Sequence, residues 1–418
     1  NDMNVSEFID RCDVYSLHKE IFVSYLSTGV AHRTEQIITS EVPYEMKKFI
    51  QSIIKCYSYI SLKTPLLIVL DRFQYAGKSS MKVINELMNN IEGLNIKLLI
   101  IYNELQSPLS YIEEYFNKMI NKAEDMNIIF EWKSDKELDY GNYRSAFIPN
   151  RRFFRDYLVK LRNLYLMLAL EDAEHYMGII NSRIADEKLN IENKDKFDFY
   201  VIRSLCNVLE DDNNSAMLNC EKMLPLYNGE TDLYESYTYN YICGLAQMNM
   251  TQSDLAYKYA DRCIAISKKL GDENLEFNAE MIREAAQFSG WRDVFSVDFS
   301  KVRVNEEILR KLKKYNYLNT YAYYTIFGYD NDDESIRHFI NCKESETFKN
   351  GIAVGKMLGN YNFLTSAYTK YIVLFSEKGY HKCGSRFYNE KLKINMLDGD
   401  LRRRANLYLG MGYNSIIS

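Results

Sequence analysis

One pattern constrains this chain more than any other: beyond residue 150, paired amphipathic helices recur at intervals of about 40 residues. The clearest unit is residues 239–272, YNYICGLAQMNMTQSDLAYKYADRCIAISKKLGD. Steps of three and four place Tyr241, Gly244, Leu245 and Met248 on one face of a first helix. After a break at Asn249–Ser253, a second helix turns Ala256, Tyr259, Ala260, Cys263, Ile264 and Ile266 inward. The small residues Gly244 and Ala256 let two backbones approach where the helices cross, and Gly271-Asp272 stops the second helix. Weaker versions of the small position fall at Ala173, Ala216, Val294, Ser335 and Cys383. A further helix is expected from Leu401, where Leu409, Gly410 and Tyr413 fit the first-helix pattern again. The pattern breaks off inside a repeat, so a longer natural chain is expected.

Gly244 and Ala256 sit as the two small positions do in the tetratricopeptide repeat, which this unit resembles. The spacing exceeds the 34 residues of the standard repeat, and the surplus lies in stretches such as KKLGDENLE and INMLDGDLR. It is similar to the variant found in large bacterial signalling ATPases and in activators of the maltose-regulator type. The resemblance implies a mostly helical fold whose α-α superhelix offers an extended surface to a protein or peptide. Tyr234, Tyr237, Tyr241, Tyr317, Tyr321, Tyr323 and Tyr324 crowd the first helices of their pairs and are the candidates for such a groove. Their competing reading is packing between repeats.

Composition agrees. Only five prolines occur, as long helices require, because an interior proline costs a helix about 3 kcal/mol. The net charge of −5 carries no basic footprint for nucleic acid. The longest apolar runs are too short to span a bilayer, and no signal-peptide layout opens the chain, so a cytoplasmic protein is expected. The eight cysteines are scattered and form no C-x-x-C, which reads as reduced, buried thiols without a zinc site.

Residues 60–133 follow another rhythm. The apolar runs TPLLIVLD (64–71), LNIKLLIIYN (94–103) and MNIIFEW (126–132) alternate with helical stretches at 79–91 and 109–125. Strand–helix–strand–helix–strand, with runs buried on both faces, predicts a small parallel sheet. Within it, LLIVLDRFQYAGKSSMKVINEL resembles the Walker B region of signal-transduction ATPases of the AAA-like superfamily. Asp71, Phe73, Gln74, Tyr75, Ala76 and Ser79 or Ser80 match, and Asn103 falls at the sensor position. The resemblance implies nucleotide contacts for Asp71, Gln74 and Asn103. Two departures argue against hydrolysis: Arg72 replaces the second acid, and no glycine-rich loop with Gly-Lys precedes Asp71. Gly77-Lys78-Ser79 follows a strand and opens a helix, but without other glycines it reads as a solvated turn with Ser79 or Ser80 as cap.

The expected organisation is a degenerate α/β domain over 1–135, a linker over 136–150 and the helical repeats over 151–418. The acid runs Glu210-Asp211-Asp212 and Asp330–Glu334 read as caps and solvated turns, and the clusters Arg151-Arg152-Arg155 and Arg402–Arg404 as helix-face charge. No catalytic residues, cofactor, metal, nucleic acid or membrane are expected, and self-association is left open. The expected function is regulatory: a non-hydrolysing ATPase-like domain followed by a partner-binding helical array. The alternative is part of an active switch, a transcriptional activator or a diguanylate cyclase, whose phosphate loop and output domain lie outside these residues.

Overall fold

The computed structural model describes residues 4–34, 42–103, 107–125, 151–184, 191–286, 306–315, 317–328, 346–377, 379–398, 405, 407–409 and 411–412. Packing divides the chain into two compact units, Asn1–His32 with Met46–Cys206, and Arg33–Glu45 with Asn207–Ser418. The described residues are mostly helical, with one two-stranded parallel sheet. The third apolar run at 126–132 and the linker at 136–150 lie outside them, as do Val294, Ser335 and Tyr413.

The first unit begins with helices α1 (Val5–Arg11), α2 (Ser16–Thr28) and α3 (Val42–Lys63). Strand β1 (Leu66–Leu70), helix α4 (Lys78–Asn90) and strand β2 (Ile96–Ile100) then form a parallel crossover, with Leu66 opposite Ile96 and Leu70 opposite Ile100. Helix α5 (Glu113–Asp125) follows, and α6 (Arg151–Leu166), α7 (Leu170–Ile184) and α8 (Asn193–Leu209) complete the unit. One sheet face is covered: Leu70, Leu98 and Ile100 pack with Phe73, with Met81 and Ile84 of α4, with Ile112 of the turn before α5, and with Phe116 and Met119 of α5. The other is not. Leu67, Val69, Leu99 and Ile101 stand exposed, so the expectation of runs buried on both faces is corrected to burial on one. Among the described residues the two strands carry helices on one side only, and alternation sends every second residue to the other side.

Helix α6 is tied to the loop after α2 by one amide. Asn163 accepts from the Ala31 N–H and donates to the Gly29 carbonyl, both at 2.9 Å. These bonds satisfy two backbone groups that leave the end of α2 without partners of its own.

In the second unit, α9 (Asn213–Met223), α10 (Leu233–Asn249), α11 (Ser253–Leu270) and α12 (Glu273–Ala285) pack each against the next. Helices α13 (Glu306–Lys314), α14 (Leu318–Gly328), α15 (Glu346–Leu358), α16 (Tyr361–Glu377) and α17 (His381–Asp398) do the same. The break expected at Asn249–Ser253 separates α10 from α11, and Gly271 in the left-handed region ends α11. Ala216, Ala256, Ala260 and Cys263 are fully buried, as small residues at helix crossings should be. On α10 the buried arc departs from the expected face: Gly244 is buried, Tyr241, Leu245 and Met248 are only half-buried, and Ile242, Cys243, Ala246 and Gln247 are buried instead, because α10 packs against α9, α11 and α12.

Close approach is most demanding at α15. A Cβ on Gly355 would stand 2.5 Å from the Phe363 ring, and one on Gly351 2.8 Å from Ile326. On α7, by contrast, a Cβ at Gly178 would meet nothing within 4 Å. Gly355→Ala should therefore destabilise the protein by about 1–3 kcal/mol through overpacking. Gly178→Ala should stabilise it by about 0.5–1 kcal/mol through helix propensity. Urea denaturation followed by circular dichroism gives both signs, and a stabilising Gly355→Ala would contradict the packing.

Candidate functional site

The parallel pairing brings the Walker B-like residues to one end of the sheet. Asp71 follows β1 and Asn103 lies just beyond β2, while the Ile101 N–H donates to the Leu70 carbonyl at 2.8 Å and closes that end. This carboxyl edge of a parallel sheet is where ligands commonly bind. Asp71 is largely exposed and meets its own neighbour, Arg72 Nε, at 3.5 Å. Arg72 adopts a left-handed conformation (φ 52°), so the chain turns sharply into a 3₁₀ turn at Phe73–Tyr75. That turn sends Gln74 into the core, fully buried, and Asn103 is half-buried.

Six residues after Asp71, the N-terminus of α4 presents the N–H groups of Lys78 and Ser79 without acceptors inside the helix. Neither Ser79 nor Ser80 caps it: the cap position is Gly77, which has no side chain. The acceptor comes from α7, 94 residues away. Asp172 Oδ1 accepts from the Lys78 N–H at 2.7 Å, and Oδ2 from the Ser79 N–H at 3.0 Å. The Tyr111 hydroxyl donates to Oδ1 at 2.8 Å. Asp172 is buried, so the expectation of a solvated turn is corrected. Glycine at 77 is what admits it: a Cβ there would lie 2.9 Å from the carboxyl group.

The carboxylate sits between the first turn of its own helix and the N-terminus of α4, and both positive helix ends favour an anion there. The cation of the Gly-Lys-Ser triplet is also engaged from within. Lys78 Nζ meets Glu171 Oε1 at 2.7 Å, and Lys82 Nζ meets Oε2 at 2.6 Å. Burial pushes the Glu171 carboxyl up, but the bonds from Lys78 and Lys82 outweigh it and hold the group below its usual range. Burial, with the bond to Asp172 behind it, pushes the Tyr111 phenol well above its usual value. The Tyr111 ring stacks on His175 at 4.5 Å, one turn further along α7. Chemically, the arrangement is an anion seat whose anion is a side chain of the same protein.

The tyrosines divide differently from the expectation of a groove. Tyr237, Tyr317, Tyr321, Tyr323 and Tyr324 are buried, so their surface is taken up by neighbouring helices. Tyr237 donates to the Leu275 carbonyl at 2.7 Å, Tyr317 to Asn278 at 2.6 Å and Tyr324 to Glu284 at 3.0 Å. Burial pushes the phenols of Tyr237 and Tyr324 far above their usual values. Tyr323 packs edge-on to Phe363 at 4.9 Å. Tyr241 is half-buried and stacked on Tyr237, and only Tyr234 is largely exposed.

Asp212 caps α9 through the Ser215 N–H at 3.1 Å, and Arg155 pairs with Asp195 at 3.2 Å and Glu192 at 3.4 Å. The acid run 330–334 and Arg402–Arg404 lie outside the described residues. Among the described residues, no group of three or more His, Cys, Asp or Glu side chains is placed to hold a metal ion. The sequence matches no protein-family model and no curated protein.

Asp172→Ala should cost about 1–3 kcal/mol, because it leaves two helix N–H groups and a phenol without their acceptor. Gly77→Ala should be costly in the native background and close to neutral beside Asp172→Ala, so the two changes should show strong coupling in a double-mutant cycle. Additive effects would contradict the contact. The Glu171 contribution follows from its lowered folded value. It is complete above the ordinary glutamate value of 4.5 and is lost as pH falls through the folded one. Stability measured from pH 6 to pH 3 should therefore fall less in Glu171→Gln than in the native chain.

Proposed function

We propose that this chain is a regulatory protein in which an ATPase-like module without hydrolytic chemistry supports a tetratricopeptide-like helical array, and that the array binds a protein or peptide. The observation that carries the reading is the occupied anion seat. Where a phosphate-cradling turn would need unengaged N–H groups and an available lysine, Asp172 takes the first and Glu171 the second. Asp71, the one acid of the Walker B-like run, faces Arg72 instead of a second carboxylate. The module thus docks a helical hairpin, using the geometry that other proteins use to hold phosphate.

The binding half of the reading rests on the second unit. Successive helices that pack each on the next bury a shared core and leave an outer surface, the usual setting for partner recognition. On α9–α11 and the turn after α9, Leu218, Leu224, Tyr234 and Leu255 remain exposed, and they replace the buried tyrosines as candidate contacts. No helix among the described residues is long and apolar enough to cross a membrane. The bare sheet face of Leu67, Val69, Leu99 and Ile101 favours a second reading, in which another polypeptide segment completes an active nucleotide switch.

Calorimetric titration of the chain with Mg-ATP separates the two. The proposal expects no heat of binding at micromolar nucleotide, and micromolar affinity would overturn it in favour of the switch. For the array, affinity capture should retain a defined partner that a Leu218→Asp, Tyr234→Ala, Leu255→Asp variant loses. Identical capture by both would reject that surface.

A further inference from the structure

Helix α17 holds its lysines in two different settings. Lys382 and Lys393 are exposed, and Lys393 pairs with Glu390 one turn back along the same helix. Lys391 lies four residues after Phe387 and three before Ile394, so it shares the face of α17 whose Phe387 and Ile394 are buried in the core. An apolar side chain would suit that position. The helix places an amine there instead, and the residue is half-buried.

Lys391 Nζ crosses to α16 and donates to the Thr369 hydroxyl at 2.6 Å. Thr369 gives its own proton to the Thr365 carbonyl at 2.8 Å, so its oxygen meets the amine as an acceptor only. Among the described residues no carboxylate pairs with Lys391. A hydroxyl dipole compensates a desolvated ammonium only in part, where a carboxylate would bring a full opposite charge. Burial accordingly lowers the Lys391 amine from the ordinary 10.5 to about 8. A lysine in this setting is a nucleophile near neutral pH. It is not sealed off, because the residue keeps part of its surface in solvent.

We propose that Lys391, the unpaired amine at the α16–α17 contact, is a modification site acylated on Nζ by small acyl phosphates. The neutral nitrogen attacks the carbonyl carbon, the C–O bond to phosphate breaks, and one nitrogen proton passes to the departing phosphate. The product suits the site better than the ammonium does. An amide nitrogen keeps one N–H for the Thr369 hydroxyl and carries no charge to be desolvated. Carbamylation by carbon dioxide suits it less, because it exchanges one unpaired charge for another. The exposed lysines of the same helix, Lys382 and Lys393, are the built-in comparison.

The test treats the whole native chain with acetyl phosphate at pH 7.5 to low conversion, and peptide mapping by mass spectrometry reads the acetylated fraction at Lys382, Lys391 and Lys393. A lysine lowered to about 8 is neutral about a hundred times more often at that pH than an ordinary one. Weaker nucleophilicity and partial burial reduce that advantage, leaving Lys391 at least about fivefold faster than either neighbour. Its rate should level off above about pH 8.5, while fully solvated lysines gain rate up to about pH 10. In guanidinium chloride the three sites should react alike. Equal or slower acetylation of Lys391 in the folded chain would overturn the proposal. A rate at Lys391 still climbing at pH 10, or a preference that survives in denaturant, would do so as well.

Discussion

The first unit depends on one carboxylate. Asp172 accepts from two backbone N–H groups at the start of α4 and from the phenol of Tyr111, so a single side chain of α7 fastens to both the crossover helix and the turn that opens α5. Charge-assisted bonds to helix N–H groups are among the stronger polar contacts, and burial keeps this one out of competition with water. Lys78 and Lys82 extend the contact through Glu171, and Tyr111 carries it on to His175 by stacking. The hairpin α6–α7 is therefore held to the sheet module by polar geometry at one end. At the other, Asn163 of α6 grips the loop after α2.

This arrangement shows how a Gly-Lys-Ser triplet that follows a strand and opens a helix can have its anion supplied by the protein itself. The physical demand is the same in both uses: no Cβ at the first position, unpaired N–H groups at the next two, and a cation alongside. What differs is whether the anion arrives from solution or from 94 residues further along the chain. The same economy appears among the tyrosines of the second unit. They supply large apolar rings to fill the space between helices, and the hydroxyls of Tyr237, Tyr317 and Tyr324 find a carbonyl, an amide and a carboxylate on α12.

Much of the local structure was legible in the residues. The run 66–70, the helix from Lys78, the run 96–100 and the break between α10 and α11 stand where periodicity and turn residues place them. Small side chains at Ala216 and Ala256 announced helix crossings, and both are fully buried. The contacts that define the site were not legible. Asp172 lies in EDAEHY, where its acid residues read as ordinary first-turn charge, and nothing local ties it to Gly77. Tyr237, Tyr323 and Tyr324 lie on helices contacted by more than one neighbour, a fact a one-face pattern cannot convey. The bare side of the sheet was missed for a similar reason: continuous apolar runs suit two covered faces, and only packing decides how many are covered.

The central claim is that the N-terminus of α4 is closed by Asp172, and native-state hydrogen exchange tests it most directly. Without a partner, the Lys78 and Ser79 N–H groups have no acceptor in their own helix and should exchange at close to the open-chain rate. The account predicts clear protection of both amides in the native chain. It predicts that Asp172→Asn lowers protection there while leaving α10 and α11 unchanged. Rapid exchange of Lys78 and Ser79 in the native chain, or protection indifferent to residue 172, would contradict it.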